Sequence, residues 1–459
     1  MLDDDGVDQA ALTGTDPEAR RAALGELTAR CQAARSAPAR LVPLLEPLVH
    51  DPRSRDDAVV ALRRCGRAAA RYAGFLGEAA AAAPEPATRR RAVETLMLIG
   101  DPRWVDPVVC EGAALLPHAL MPLPCPPEVR DTVRRRLATL IARAESGRGE
   151  AAGESAGEAA GGAGALATLC EIVARWGTDA RETVPELLDA LPHAPGAATR
   201  ALLAAGHLGA PMVPGLRAAA SRPGGLPAAT ALFRLTGDPT PALRALLTAR
   251  PPVPPGVVAL LGPLALPLVP EFELLLTGEA AAAPPQCAAQ VLAAQVVIAA
   301  TGDTTAALPT LHAVLTAGGH RAVLAAAVVA DLAAAGPGAS GGGWRGEMAV
   351  WVPELRALLD DPWAGVAAAG ALWRLGAAAG GLVPVAARAV EEGRRPAAAV
   401  ALLHELGATA EAARLAARDE RLTVGGADDD IVVNDELLRD RLLATARATA
   451  TGSGGSGAA

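Results

Sequence analysis

Apolar positions along this chain recur at the spacing of helices and almost never alternate. In residues 361–390, Ala368, Leu372 and Leu375 fall at i, i+4 and i+7, and Val383, Ala386, Ala387 and Val390 make a second stripe. Both match one face of an α-helix. Asp361 and Pro362 open the first of these helices: the Asp side chain caps the orphan N–H groups, and Pro at the first helical position lacks only an N–H that would have no partner anyway. Gly376 closes it, and a short turn of small residues leads into the second. Neither helix can bury its stripe alone, so the pair requires similar pairs on either side.

The same punctuation recurs along the chain, as an apolar helix, a glycine, and a second helix with proline in its first turn. The turn glycines are Gly66, Gly100, Gly177, Gly209, Gly237, Gly262, Gly302, Gly336, Gly376 and Gly407. If the long gap between Gly100 and Gly177 holds one degenerate unit, the mean spacing is about 34 residues, the period of a helical solenoid. Prolines march alongside at Pro43, Pro107, Pro185, Pro214, Pro241, Pro309, Pro353 and Pro384.

DPEARRAA at 16–23, TVPELLDAL at 183–191 and WVPELRALLDD at 351–361 resemble short HEAT repeats of the kind first labelled in phycobilisome lyases. The resemblance spans residues 12–418. It implies an all-α fold, a right-handed α-solenoid of about twelve HEAT-like helix pairs, with the second helices lining a concave surface. At about 10 Å per pair its contour is on the order of 100 Å. Its signature positions are packing positions, so it implies little about activity.

Interruptions divide the array. N-terminal repeats are expected over 12–144, a low-complexity flexible linker over 145–164, C-terminal repeats over 165–418, and an acidic segment with a terminal helix and flexible tail over 419–459. Residues 117–127 form a proline-rich crossing, and 336–347, GPGASGGGWRGE, a loop inserted within one repeat. Residues 253–270 are uncharged but broken by prolines and glycines, and read as two short buried helices with a turn at Gly262, not a membrane span.

Composition narrows the function. Half the residues are apolar and only 2% aromatic, so thin layers of small side chains are expected, with few large groups to shape a deep pocket. All 42 basic residues are arginine, the bias of a GC-rich, bacterial genome. The net charge of −8 disfavours nucleic acid, which needs a basic footprint. Residues 1–150 are balanced, with 21 arginines against 21 acids, so the deficit lies downstream. Cys31, Cys65, Cys110, Cys125, Cys170 and Cys287 contain no C-x-x-C pair and read as small buried thiols of a reducing cytoplasm. MLDDDGVD has no apolar core of a secretory signal, and a cytoplasmic location is expected.

Motifs of chemistry are sparse. Gly338, Ser340 and Gly342 satisfy G-x-S-x-G, and Gly336, Gly338 and Gly341 satisfy G-x-G-x-x-G, but both need a preceding strand and none is predicted. The seven histidines stand singly, without metal-ligand spacing. No catalytic residue, metal or cofactor is expected. Two surface features remain. Arg63, Arg64, Arg67, Arg89, Arg90 and Arg91, about one repeat apart, form a candidate basic patch. Trp344 and Arg345 in the inserted loop, with Trp351 and Trp363 beyond, form a candidate binding patch, because Trp and Arg concentrate interface energy. The expectation is a non-catalytic scaffold or adaptor whose concave face and inserted loops bind a protein partner. The alternative is a HEAT-like enzyme, resembling a DNA glycosylase or a bilin lyase.

Overall fold

A computed structural model describes residues 7–14, 16–111, 125–146, 156–249, 253, 256–276, 284–334, 345–422 and 431–448. Among them the chain is helical throughout; an isolated antiparallel bridge joins Ala34 to Glu420. The repeat boundaries follow local chemistry. Asp16, Asp51, Asp101 and Asp361 each precede a proline and accept a backbone N–H two residues on, at 2.8–3.0 Å. Asp361 also takes the N–H of Ala364 at 2.8 Å, and the helix it caps starts at Gly365, three residues later than the Asp-Pro pattern suggests.

Eight of the ten expected turn glycines have positive φ, from 44° at Gly262 to 97° at Gly376. One is shifted. Gly206, not Gly209, takes the left-handed conformation at 74°, while Gly209 is extended at −156°. Gly336 lies outside the described residues. A feature the periodicity does not reveal follows many of these turns: a short 3-10 segment leads into the second helix, as at Gly66–Tyr72, Gly177–Thr183, Gly262–Leu268 and Ala349–Trp351. Pro263 and Pro267 lie inside Gly262–Leu268 and have no N–H to donate, but Gly66–Tyr72 contains no proline, so proline is not the general cause.

Two compact units divide the chain. The first holds 1–215 together with 417–440, and the second 216–416 together with 441–459. The stretch 145–164 falls inside the first unit. Helix Pro127–Ser146 ends in it, helix Ala156–Arg175 begins in it, and the two pack on each other. Alanine at 156, 159, 160, 163 and 165 favours helix over the mobile tract that the glycines suggest; residues 147–155 lie outside the described residues. Residues 417–422 and 431–440 group with the first unit; residues 423–430, within the expected acidic segment, lie outside the described residues.

In the first unit, residues 431–440 of helix Ile431–Arg447 lay Val433 and Leu437 against Leu98. In the second, Leu246, Val258, Leu261, Phe272, Leu292, Val296 and Val297 share one core drawn from successive helices. Small residues fill the layers between: Ala229, Ala242, Ala265 and Ala293 are fully buried beside them.

Candidate functional site

The arginines of the candidate basic patch are spread over several local partners. Arg63 Nε donates to Glu94 at 2.8 Å, and Arg67 pairs with Asp440 while its backbone N–H donates to Glu436. Arg64 donates to the Thr28 hydroxyl at 3.2 Å, and Arg89 to the Ala83 carbonyl at 2.7 Å. Arg90 is exposed and Arg91 half-buried. The charge of Arg63 and Arg67 is thus offset by carboxylates from neighbouring elements.

The tryptophan patch divides. Trp344 lies outside the described residues, and Arg345 opens the short helix Arg345–Met348. Trp351 is buried beside the His312 ring, centroids 5.9 Å apart, so its ring is not presented on the surface. It occupies the turn into its repeat's second helix, a packing position. Trp363 is 53% exposed and stands edge-on to His320 at 4.9 Å.

A surface that the sequence reading missed lies in the second unit. The run read as two buried helices consists of Val257–Leu261, the 3-10 segment Gly262–Leu268, and Val269–Leu276. Only part of it is buried: Leu260, Leu264, Leu266, Leu274 and Leu275 are exposed, Leu274 to 73%, and Leu247 on the adjoining helix is exposed too. By length and composition alone, 20 residues with a mean hydropathy of 1.6 over an 18-residue window, this run is apolar enough to cross a membrane. The sequence signal was the missing charge over 253–270. A surface helix normally carries polar residues on its outer face; leucine and proline occupy it as far as Pro270, and the exposed Glu271 and Glu273 share it with Leu274 and Leu275 beyond.

The first unit holds a buried charge cluster built from opposite ends of the chain. Asp435, fully buried, takes both arms of Arg35 at 2.7 and 2.9 Å and Arg421 Nη1 at 3.0 Å; the Leu422 N–H donates to it at 3.0 Å. Arg421 Nε donates to the Cys31 carbonyl at 2.6 Å. Asp419 receives the Ser36 N–H and hydroxyl at 2.8 and 2.9 Å. Beside them the Glu436 carboxyl lies against Gly66, its pKa pushed up to about 7 by burial, against the pull of Arg421 and Arg67.

Under this cluster Cys31 and Cys65 meet, Sγ to Sγ 3.9 Å, both fully buried. Their separation of 34 residues equals the spacing between Gly66 and Gly100, so they fall one period of the sequence apart. That regularity was a readable signal. Among the described residues no cluster of three or more His, Cys, Asp and Glu side chains could hold a metal ion.

No protein-family model matches this chain, and no curated protein matches it either.

Proposed function

We propose that this protein is a non-catalytic scaffold or adaptor that binds another protein, its helix pairs arranged as a right-handed α-solenoid of about twelve HEAT-like repeats. The observation that carries the reading is the exposed leucine surface of residues 247–275. Apolar surface left in water costs about 25 cal/mol per Å², and several exposed leucines within one short run are the kind of surface on which a partner docks. The carboxylates that offset Arg63 and Arg67 favour a protein partner over nucleic acid.

Glutamate at Leu264, Leu266 and Leu274 tests this. These side chains are exposed, so the triple variant keeps the melting temperature to within a few degrees. Capture of a partner from native lysate, present with the unchanged chain, is lost with the variant. Capture unchanged by the substitutions would refute the leucine surface as the site. Flotation of the unchanged chain with phospholipid vesicles would instead make it a membrane contact. A gel shift with damaged duplex at low salt would favour the glycosylase-like alternative. A scattering radius of gyration near about 23 Å, the value for a compact chain of this length, would refute the solenoid.

A further inference from the structure

Five of the six cysteines are buried, and two of those five touch. Cys125 and Cys170 show what burial alone does. Desolvation pushes each thiol up to about 12, where it is inert as a nucleophile. Cys31 goes the other way: its thiol is lowered, first by the hydrogen bond with Cys65 and then by the Arg421 charge, against desolvation, while the same hydrogen bond and burial push Cys65 up, so Cys65 keeps its proton until it attacks. Arg421 is held there by Asp435, and its Nε is bound to the Cys31 carbonyl. A nucleophilic sulfur, a resolving sulfur within reach and a fixed cation are the parts of a peroxide-reactive dithiol.

We propose that Cys31 and Cys65 form a redox site that takes a small hydroperoxide as its oxidant and closes to a disulfide, and that residues 417–422 and 431–440 are its removable cover. The Cys31 thiolate attacks one peroxide oxygen and the O–O bond breaks. Cys31 becomes a sulfenic acid, and the departing alkoxide or hydroxide takes up a proton. The Cys65 sulfur then attacks the Cys31 sulfur, forming the S–S bond and expelling hydroxide, which leaves as water with the proton from Cys65. The two thiols lose two electrons and the peroxide gains them. Closing the gap from 3.9 Å to a bond of about 2.05 Å asks each sulfur to move by about 1 Å. Both sulfurs are fully buried, so the oxidant reaches them when the cover lifts. The cover's outer edge is the Arg67–Asp440 pair, whose side chains keep some exposure to water. Its inner part is Asp435, Arg421 and Glu436.

The test treats the full chain with hydrogen peroxide, alkylates the remaining thiols in denaturant and maps peptides by mass. A Cys31–Cys65 disulfide is expected, with Cys125, Cys170 and Cys287 still free. Asp440→Asn loosens the cover at a part-exposed position without stranding a buried charge, and forms the disulfide about fivefold faster. In Cys65→Ser the first step stops at the Cys31 sulfenic acid, which dimedone traps. Free Cys31 and Cys65 after the exposed Cys110 has been oxidised would overturn the site. An Asp440→Asn rate equal to that of the unchanged chain would overturn the cover.

Discussion

Asp435 binds the two ends of the chain through a single carboxylate. Its oxygens accept from Arg35, from Arg421 and from the Leu422 N–H, with no exposure to water. Removing it strands two guanidinium groups at little-exposed positions, so Asp435→Ala costs about 3–5 kcal/mol, the range for a buried pair broken on one side. Arg374→Ala, which breaks the exposed pair with Glu405, costs less than about 1 kcal/mol. Urea denaturation of the two variants side by side reads this contrast, and equal losses would refute it. Glu436, next along the helix, gives a pH signature. Its proton is held more tightly in the folded chain, with a pKa of about 7 against an ordinary 4.5, chiefly because burial disfavours the charge; Arg421 and Arg67 oppose the shift and Asp435 adds to it. Its contribution is therefore fully present below pH 4.5 and is lost as the pH climbs through about 7. Denaturation midpoints of the unchanged chain fall over that window relative to those of Glu436→Gln, and parallel curves would contradict the assignment.

At the scale of elements, the left-handed glycines end one helix and aim the next. Gly66 and Gly177 share the conformation, with φ 61° and 58°, but not the surroundings. A Cβ at Gly66 would collide with the Glu436 carboxyl, whereas a Cβ at Gly177 meets nothing. Gly177→Ala thus costs only the left-handed strain, about 1 kcal/mol. Gly66→Ala costs that and also displaces the docked helix. Combining Gly66→Ala with Glu436→Ala recovers part of the excess, a coupling that a double-mutant cycle measures. Additive losses would show that the helix end and the docked segment are independent. The caps are the second element-scale device: Asp361 also accepts the Gly319 N–H at 2.9 Å, so one carboxylate ties the starts of helices Gly319–Ala334 and Gly365–Arg374 together.

For the whole molecule, the consequential feature is that residues 417–440 belong with the first unit although they follow the second in sequence. Ending the chain after Ala416 therefore exposes Leu98, Arg35 and the Cys31–Cys65 pair, which lie in the first unit. Hydrogen exchange in the shortened chain rises in residues 31–72 and 93–98, which lose their contacts with 417–440. Loss of protection confined to 365–405 would contradict that pairing.

Sequence alone determined the helical class, most of the turn positions and the Asp-Pro starts, because each depends on a few neighbouring residues. The shift from Gly209 to Gly206 shows the limit even there, since either glycine suits a turn and packing selects one. The tertiary structure decided which arginines face carboxylates, that Trp351 is buried and Trp363 exposed, and that an uncharged run leaves its leucines in water. It also decided the return of the C-terminal segment. Asp435 and Arg35 stand 400 residues apart with no period connecting them, and only the folded path makes them a pair. Cys31 and Cys65 lie between these cases: their repeat spacing is written in the chain, but the contact and the arginine over it come from the fold. Periodicity records what each helix must bury, whereas burial against a distant segment depends on surfaces that exist only after the helices have packed.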